Sequence, residues 1–317
     1  MNAFPPHTLP DGTPTEILDP LIRAAAAHLE VLARETVEGT VAGLHRSPYQ
    51  GRNVEFSEHR PYNPGDELRL IDWRAYAKTD RFHVKLFEED TNLQAILVVD
   101  RSGSMGFRGR QELSKLDVAV RLAASFAYLF LRQGDAAGLA CCSGDVDALI
   151  PSRGRRDHLV AVLEMLAQTE PAGESHLLRV FNLLGERIRK RGMILVFSDL
   201  LNKPREVLRG LAMLRKRQHE IILFHTLAPE EIDLPYSGSV DFLGLEGEET
   251  LRTVPPRLRK AYQARMAAFM RAYREGAGEL GMDYALCRTD RSVEDLFRGI
   301  VVARRRGRVV MMSEEVA

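Results

Sequence analysis

The sequence predicts an α/β protein, with a doubly wound, mostly parallel sheet flanked by helices and a smaller helix-plus-β/loop segment ahead of it. Three observations carry that expectation. From residue 91 onward, apolar runs of strand length alternate with stretches of helical spacing. Two of those runs, 93–99 and 193–198, end abruptly in acids, Asp100 and Asp199. Residues 40–90 have a different character, dense in Arg, Glu, Asp, Tyr and Phe and broken by turn signals.

The elements follow in order. Residues 1–14 read as a disordered or extended lead. Within 1–40, Leu18, Leu21, Ile22, Ala25, Leu29 and Leu32 recur at helical spacing, and Gly39 ends the pattern. Residues 41–90 form a loop/strand segment. Its turns fall at Ser47-Pro48, Asn63-Pro64-Gly65-Asp66 and Thr79-Asp80, and its short strands at 53–57 and 82–87. The main domain spans 91–303. Its expected strands are 93–99, 136–142, 145–150, 193–198, 219–226, 239–245 and 283–288. Its expected helices are 113–133, 155–168, 176–190, 205–217, 256–280 and 292–303. Only Ser143-Gly144 separates the second and third strands, so they should form a hairpin with one antiparallel edge strand. Residues 304–317 read as a basic, then acidic tail.

Composition narrows the function classes. Lys+Arg and Asp+Glu balance at 44 each, so no global field favours nucleic acid or an anionic membrane. The local basic runs (153–156, 187–191 and 304–308) read as solvated helix ends and tail. Cys141, Cys142 and Cys287 give neither a disulfide framework nor zinc spacing, and free thiols fit a cytoplasmic protein. Residues 1–20 lack the basic and apolar regions of a signal peptide, and no apolar run reaches the length of a membrane helix.

The chemistry concentrates at Asp100-Arg101-Ser102-Gly103-Ser104, directly after a buried strand. One carboxylate and two hydroxyls at spacing two can aim their oxygens at one hard cation, and Mg²⁺ takes such ligands in a near-octahedral shell completed by water. Ligands in open α/β sheets bind outside the carboxyl ends of the strands. Asp199 ends a neighbouring strand there, and Ser175 precedes the helix from 176, where it is either an N-cap or a ligand. Asp100, Ser102, Ser104, Ser175 and Asp199 are therefore the candidate metal set.

This pattern resembles the metal-ion-dependent adhesion site of von Willebrand factor A domains. The resemblance implies Mg²⁺ or Mn²⁺ held by Asp100, Ser102, Ser104 and a later hydroxyl, with Asp199 acting through water. It also implies an open coordination position that takes an acidic residue from a protein partner. Ser175 stands where the family has a threonine, and Thr169 competes for that position. A second, longer resemblance lies upstream, in Gly43-x-His45-x-Ser47, Glu55-Phe56-x-Glu58-x-Arg60-x-Tyr62-x-Pro64-Gly65-Asp66, Arg69-x-Ile71-Asp72-Trp73-Arg74 and Val84-Lys85-x-Phe87-Glu88-Glu89. This stretch resembles the DUF58 family, whose members couple such a segment to a von Willebrand A-like domain. DUF58 proteins are commonly paired with MoxR-type AAA+ ATPases, so the resemblance implies an adaptor that links such an ATPase to a client or metal-enzyme maturation target, and the expectation is a non-catalytic binding module rather than an enzyme. Physically, the interleaved charges of 60–89 suit a pinned loop subdomain or a partner surface.

The enzyme alternatives are weaker. Ser102-Gly103-Ser104-Met105-Gly106 misses the G-x-S-x-G elbow by its first glycine, although Asp199 and His225 supply the remaining triad types for a hydrolase using Ser104. A hydrolase using a metal-activated water is the related alternative. His225 lies in an apolar strand, where a packed core histidine is expected. Glycines 103, 106 and 109 lack the G-x-G of a dinucleotide site, and the other histidines do not cluster.

Overall fold

The computed structural model describes residues 20–41, 54–61, 83–89, 93–247, 249–305 and 311–312. The turn at 63–66, Trp73, the charged residues of 62–82, the lead 1–14 and most of the tail lie outside them. The described chain divides into two compact units. The smaller is a hairpin of β1 (Val54–Pro61) and β2 (His83–Glu89), antiparallel, with a bulge between Phe56 and Glu58.

The larger unit is built on β3 (Gln94–Asp100), β4 (Ala136–Cys142), β5 (Val146–Arg153), β6 (Met193–Ser198), β7 (Glu220–Leu227), β10 (Asp283–Arg288) and β11 (Met311–Met312). Its order is β11-β10-β7-β6-β3-β4-β5. All neighbours are parallel except β4 and β5, which form the expected antiparallel edge hairpin. The chain leaves β3 to one side for β4 and returns to its other side for β6. The topological switch point therefore lies between β3 and β6, the place where open α/β sheets bind ligands.

Helices cover both faces. Helices α1 (Pro20–Val41), α2 (Lys115–Arg132), α3 (Arg156–Ala167), α4 (Leu177–Arg187) and α5 (Pro204–Lys216) are followed by a one-turn α6 (Pro229–Asp233), then α7 (Pro255–Glu279) and α8 (Val293–Arg305). Strand residues alternate between the two faces. Ile96, Val98, Ile194 and Val196 pack under Phe181, Leu184, Leu211 and Tyr273 from α4, α5 and α7. On the opposite face Phe197 stacks on Phe224 at 4.3 Å, and Phe126 of α2 meets Phe224 at 5.3 Å and Phe297 of α8 at 4.9 Å. Burial on both faces explains why these strands read as continuous apolar runs. Helix α1 belongs to this unit. Its Leu29, Ala33 and Val37 are buried, and the Thr36 hydroxyl faces Glu294 of α8 at 3.5 Å.

Two expectations are corrected. The stretch 239–245 does not join the sheet; only β8 (Val240–Phe242) is extended, and it pairs antiparallel with β9 (Leu251–Thr253) in a separate hairpin. Its residues are at best half-buried, with Phe242 packed edge-on against Tyr236 rather than in the core. The tail contributes β11, whose backbone pairs with Tyr284 and Ala285 at the sheet edge. Among the described residues no helix is long and apolar enough to cross a membrane.

Candidate functional site

Asp100 is the last residue of β3 and is buried. Its Oδ1 accepts from the Ser102 N–H at 2.9 Å. Its Oδ2 accepts from the Ser198 hydroxyl at 2.6 Å and the Ser175 hydroxyl at 3.3 Å. Burial first, and then the neighbouring Asp199 charge, raise the Asp100 carboxyl to about 6. Ser104 sits in a 3₁₀ turn (Gly103–Gly106), and its hydroxyl lies 3.3 Å from that of Ser102.

Ser175 arrives by a backbone stitch. The Ala172 N–H donates to the Arg101 carbonyl at 2.7 Å, and the Gly103 N–H donates to the Gly173 carbonyl at 2.9 Å. Gly173 has φ +77°, so it makes the turn that a side chain would resist. The cap-or-ligand question is thereby answered on one side. The N-cap position of α4 is His176, and the Ser175 hydroxyl goes instead to Asp100 and to Asn202 Oδ1 at 3.2 Å. Thr169 is elsewhere, at the end of α3, with its hydroxyl donating to the Met165 carbonyl at 2.8 Å.

Asp199 is fully buried beside Asp100 but faces a lysine. Lys115 Nζ lies 2.7 Å from Asp199 Oδ2 and 2.6 Å from Glu231 Oε1. Ser114 and Asp117 form a reciprocal capping box at the start of α2, which fixes Lys115 at the first helical position. Burial alone would lower the lysine, yet Asp199 and Glu231 hold it above its usual range. Beyond β6, Leu200 is left-handed at φ 53°. The strain is held by neighbours: the Leu200 N–H donates to Ser198 Oγ at 2.9 Å, and the Tyr273 hydroxyl donates to the Leu200 carbonyl at 2.9 Å.

The sequence reading missed Lys115, Ser198, Asn202, Glu231 and Glu246. Ser198 was the one with a visible signal, a hydroxyl next to Asp199 at a strand end. Glu246, in the loop between β8 and β9, accepts from the Ser104 N–H at 3.2 Å through Oε1 and from the Ser175 N–H at 2.9 Å through Oε2. The same loop brings the Leu245 carbonyl so close to Gly103 that a Cβ there would collide with it.

A family model described as "Protein of unknown function DUF58" matches residues 58–272. The chain belongs to the DUF58 family. Uncharacterized proteins of Mycobacterium bovis and Mycobacterium tuberculosis are each 32% identical to this DUF58 protein over 297 residues, 92% of both chains. Among solved structures, a conserved hypothetical protein, BatB, from Bacteroides thetaiotaomicron is similar at 15% identity and TM-score 0.45. The match covers 68% of this chain and 99% of that one. An aerotolerance-related membrane protein from Bacteroides fragilis matches at 16% identity and TM-score 0.45 with the same coverage.

The donor chemistry of this DUF58 protein suits a hard cation. No group of three His, Cys, Asp or Glu side chains among the described residues forms a metal cluster. The set at Asp100 is instead one carboxylate with hydroxyls, which is Mg²⁺-like rather than zinc-like chemistry. Among the described residues no cationic side chain reaches Asp100; Lys115 is committed to Asp199 and Glu231, and Arg101 to Asp147 and the Glu170 carbonyl. Asp100 is thus a buried acid lacking a countercharge. His225 makes no hydrogen bond to Ser104. Its Nδ1 lies 2.7 Å from the Tyr284 hydroxyl, and its ring packs against Phe269 and Tyr273 in the core. Burial lowers it to about 4, which keeps it neutral.

Proposed function

We propose that this DUF58 protein is a non-catalytic, metal-dependent protein-interaction module whose larger unit is a von Willebrand A-like domain. Asp100, Ser102 and Ser104 would hold Mg²⁺ or Mn²⁺, with Ser175 as the further hydroxyl and Asp199 acting from behind them. The supporting observation is the meeting of Asp100 with the hydroxyls of Ser102, Ser104, Ser175 and Ser198 at the β3/β6 switch point, around a carboxylate that no cationic side chain among the described residues reaches. When bound, the cation would supply a Lewis-acidic position for a carboxylate oxygen of a partner. The chain's own residues do the rest. The stitch between 101–103 and 172–173 orients the hydroxyls, and Lys115 offsets the Asp199 charge beside Asp100.

The family resemblance extends the reading to an adaptor that couples a MoxR-type AAA+ ATPase to a client in chaperone-like or maturation work. Three buried free thiols support a reducing, cytoplasmic setting. A hydrolase using Ser104 would need a general base beside that hydroxyl, and no histidine among the described residues hydrogen-bonds to it.

The test is Mg²⁺ and Mn²⁺ titration by calorimetry on the wild type and Asp100→Ala. Saturable binding near one equivalent that disappears in the variant supports the site, and should be matched by chelator-sensitive capture of an acidic partner. Wild-type binding that survives in Asp100→Ala would move the cation elsewhere and end the reading.

A further inference from the structure

A carboxylate of the chain itself already lies against two residues of the site. Glu246 reaches the site from the loop between two three-residue strands that are not part of the main sheet. Each of its carboxylate oxygens accepts one backbone N–H, from Ser104 at 3.2 Å and from Ser175 at 2.9 Å. Those amides belong to segments far apart in sequence, tied together by the Gly103–Gly173 hydrogen bond. Converging amides fixed in this way form a cradle for an anion, and hydrogen bonds to a carboxylate are the stronger kind. The cradle is also lined by the two serines whose hydroxyls face Asp100 and Ser102.

Burial does little to hold this loop. Leu243 and Leu245 are 72% and 50% exposed, and neighbouring Leu251 is 61% exposed. The Glu246 carboxylate and the close approach of the Leu245 backbone to Gly103 seat it at the site, and Phe242 packs edge-on against Tyr236 at its base. A segment seated by a carboxylate, with its leucines turned to solvent, has the composition of a docking peptide rather than of a structural loop.

We propose that residues 243–247 are an internal acidic ligand seated in the carboxylate cradle of Ser104 and Ser175, and that a partner engages the site by replacing Glu246 with the acidic side chain of a peptide segment bearing a leucine just before the acid. This deepens the metal-site reading and rests on it for the cation. It also defines the partner chemistry, since the partner must offer what the loop offers: a carboxylate, an adjacent apolar side chain, and a backbone thin enough to pass Gly103.

A labelled peptide with the sequence of residues 242–247 tests this by fluorescence anisotropy against the wild type and Glu246→Gln, in Mg²⁺ and in chelator. The tethered Glu246 competes at an effective concentration on the order of millimolar, so for a peptide dissociation constant of about 0.1 mM the variant should bind about ten-fold more tightly than the wild type. A peptide with glutamine in place of the glutamate should lose that binding. Amide exchange by NMR provides an independent readout: Ser104 and Ser175 should exchange faster in Glu246→Gln, while the thermal melt stays unchanged. Equal peptide binding by the two proteins with unchanged exchange would overturn the internal ligand. Calorimetry on the same samples separates the two ideas. Metal binding without the peptide gain sinks only the internal ligand. A gain that ignores the chelator keeps the cradle and sinks the metal. Neither metal binding nor a gain sinks both.

Discussion

Lys115 has no solvent-exposed surface, and its ammonium lies between Asp199 and Glu231. Removing one member of a buried ion pair leaves an uncompensated charge, so Lys115→Met should lower the unfolding free energy by about 3–5 kcal/mol in urea titrations. Asp199→Asn in the same background should recover part of the loss. A loss of only about 0.5 kcal/mol, as at an ordinary surface site, would contradict the buried pair. His225 makes a different residue-scale case. It is held at about 4 in the folded chain, below its ordinary 6.5. The unfolded chain therefore takes up the proton first. The stability His225 contributes is full above pH 6.5 and is lost as pH falls toward 4, by up to about 3 kcal/mol. His158 and His219 are lowered by burial too and add to the same slope. The Asp100 carboxyl, raised to about 6, works in the opposite direction over the same range, so the test is a difference: as pH falls from about 7.5 to about 4.5 the wild type should lose more stability in urea titrations than His225→Gln does. An unchanged slope in that variant would place the titration on the other histidines.

At the scale of elements, α1 precedes the smaller unit in sequence yet packs on the larger one. Leu29 is 7% exposed, and Leu29→Ala should cost about 2–5 kcal/mol by urea unfolding, with the Mg²⁺ response intact. A near-neutral result would mean that α1 is not part of the cooperative core. The elements legible in the sequence were those whose pattern is enforced by burial. β3, β4, β6, β7 and β10 lie in a sheet covered on both faces, so each is an apolar run with a sharp end. β8 misled because Val240, Phe242, Leu243 and Leu245 look like a strand, whereas the glycines at 238, 244 and 247 leave only three residues to pair. β11 was invisible because two methionines at an edge carry no period. The site divides the same way. Asp100, Ser102, Ser104 and Asp199 stand at strand ends, where spacing marks them. Lys115 reads as an ordinary helix-surface lysine, and Glu246 as a loop acid. Only the tertiary fold brings those two to the site.

At the scale of the molecule, the sheet's reversal at β3/β6 concentrates negative charge in a buried place, and stability should reflect that. Asp100 sits in the core with neutral donors only, its carboxyl raised to about 6, so its charge opposes folding in metal-free protein. Asparagine has the same shape, and the Ser198 and Ser175 hydroxyls can accept as well as donate. Metal-free Asp100→Asn should therefore unfold at higher urea than the wild type, by roughly 1–3 kcal/mol at neutral pH. The proposed cation changes the ranking. A ligand at about 100 times its dissociation constant adds about 2.7 kcal/mol, and at about 1,000 times about 4 kcal/mol. The wild type should gain this with Mg²⁺ and the variant should not, so the gap closes and then reverses as the cation is raised. An equal gain in both proteins would move the cation away from Asp100. A variant less stable than the wild type without metal would make Asp100 a hydrogen-bonding hub of the fold, its charge tolerated for structure rather than kept for a ligand.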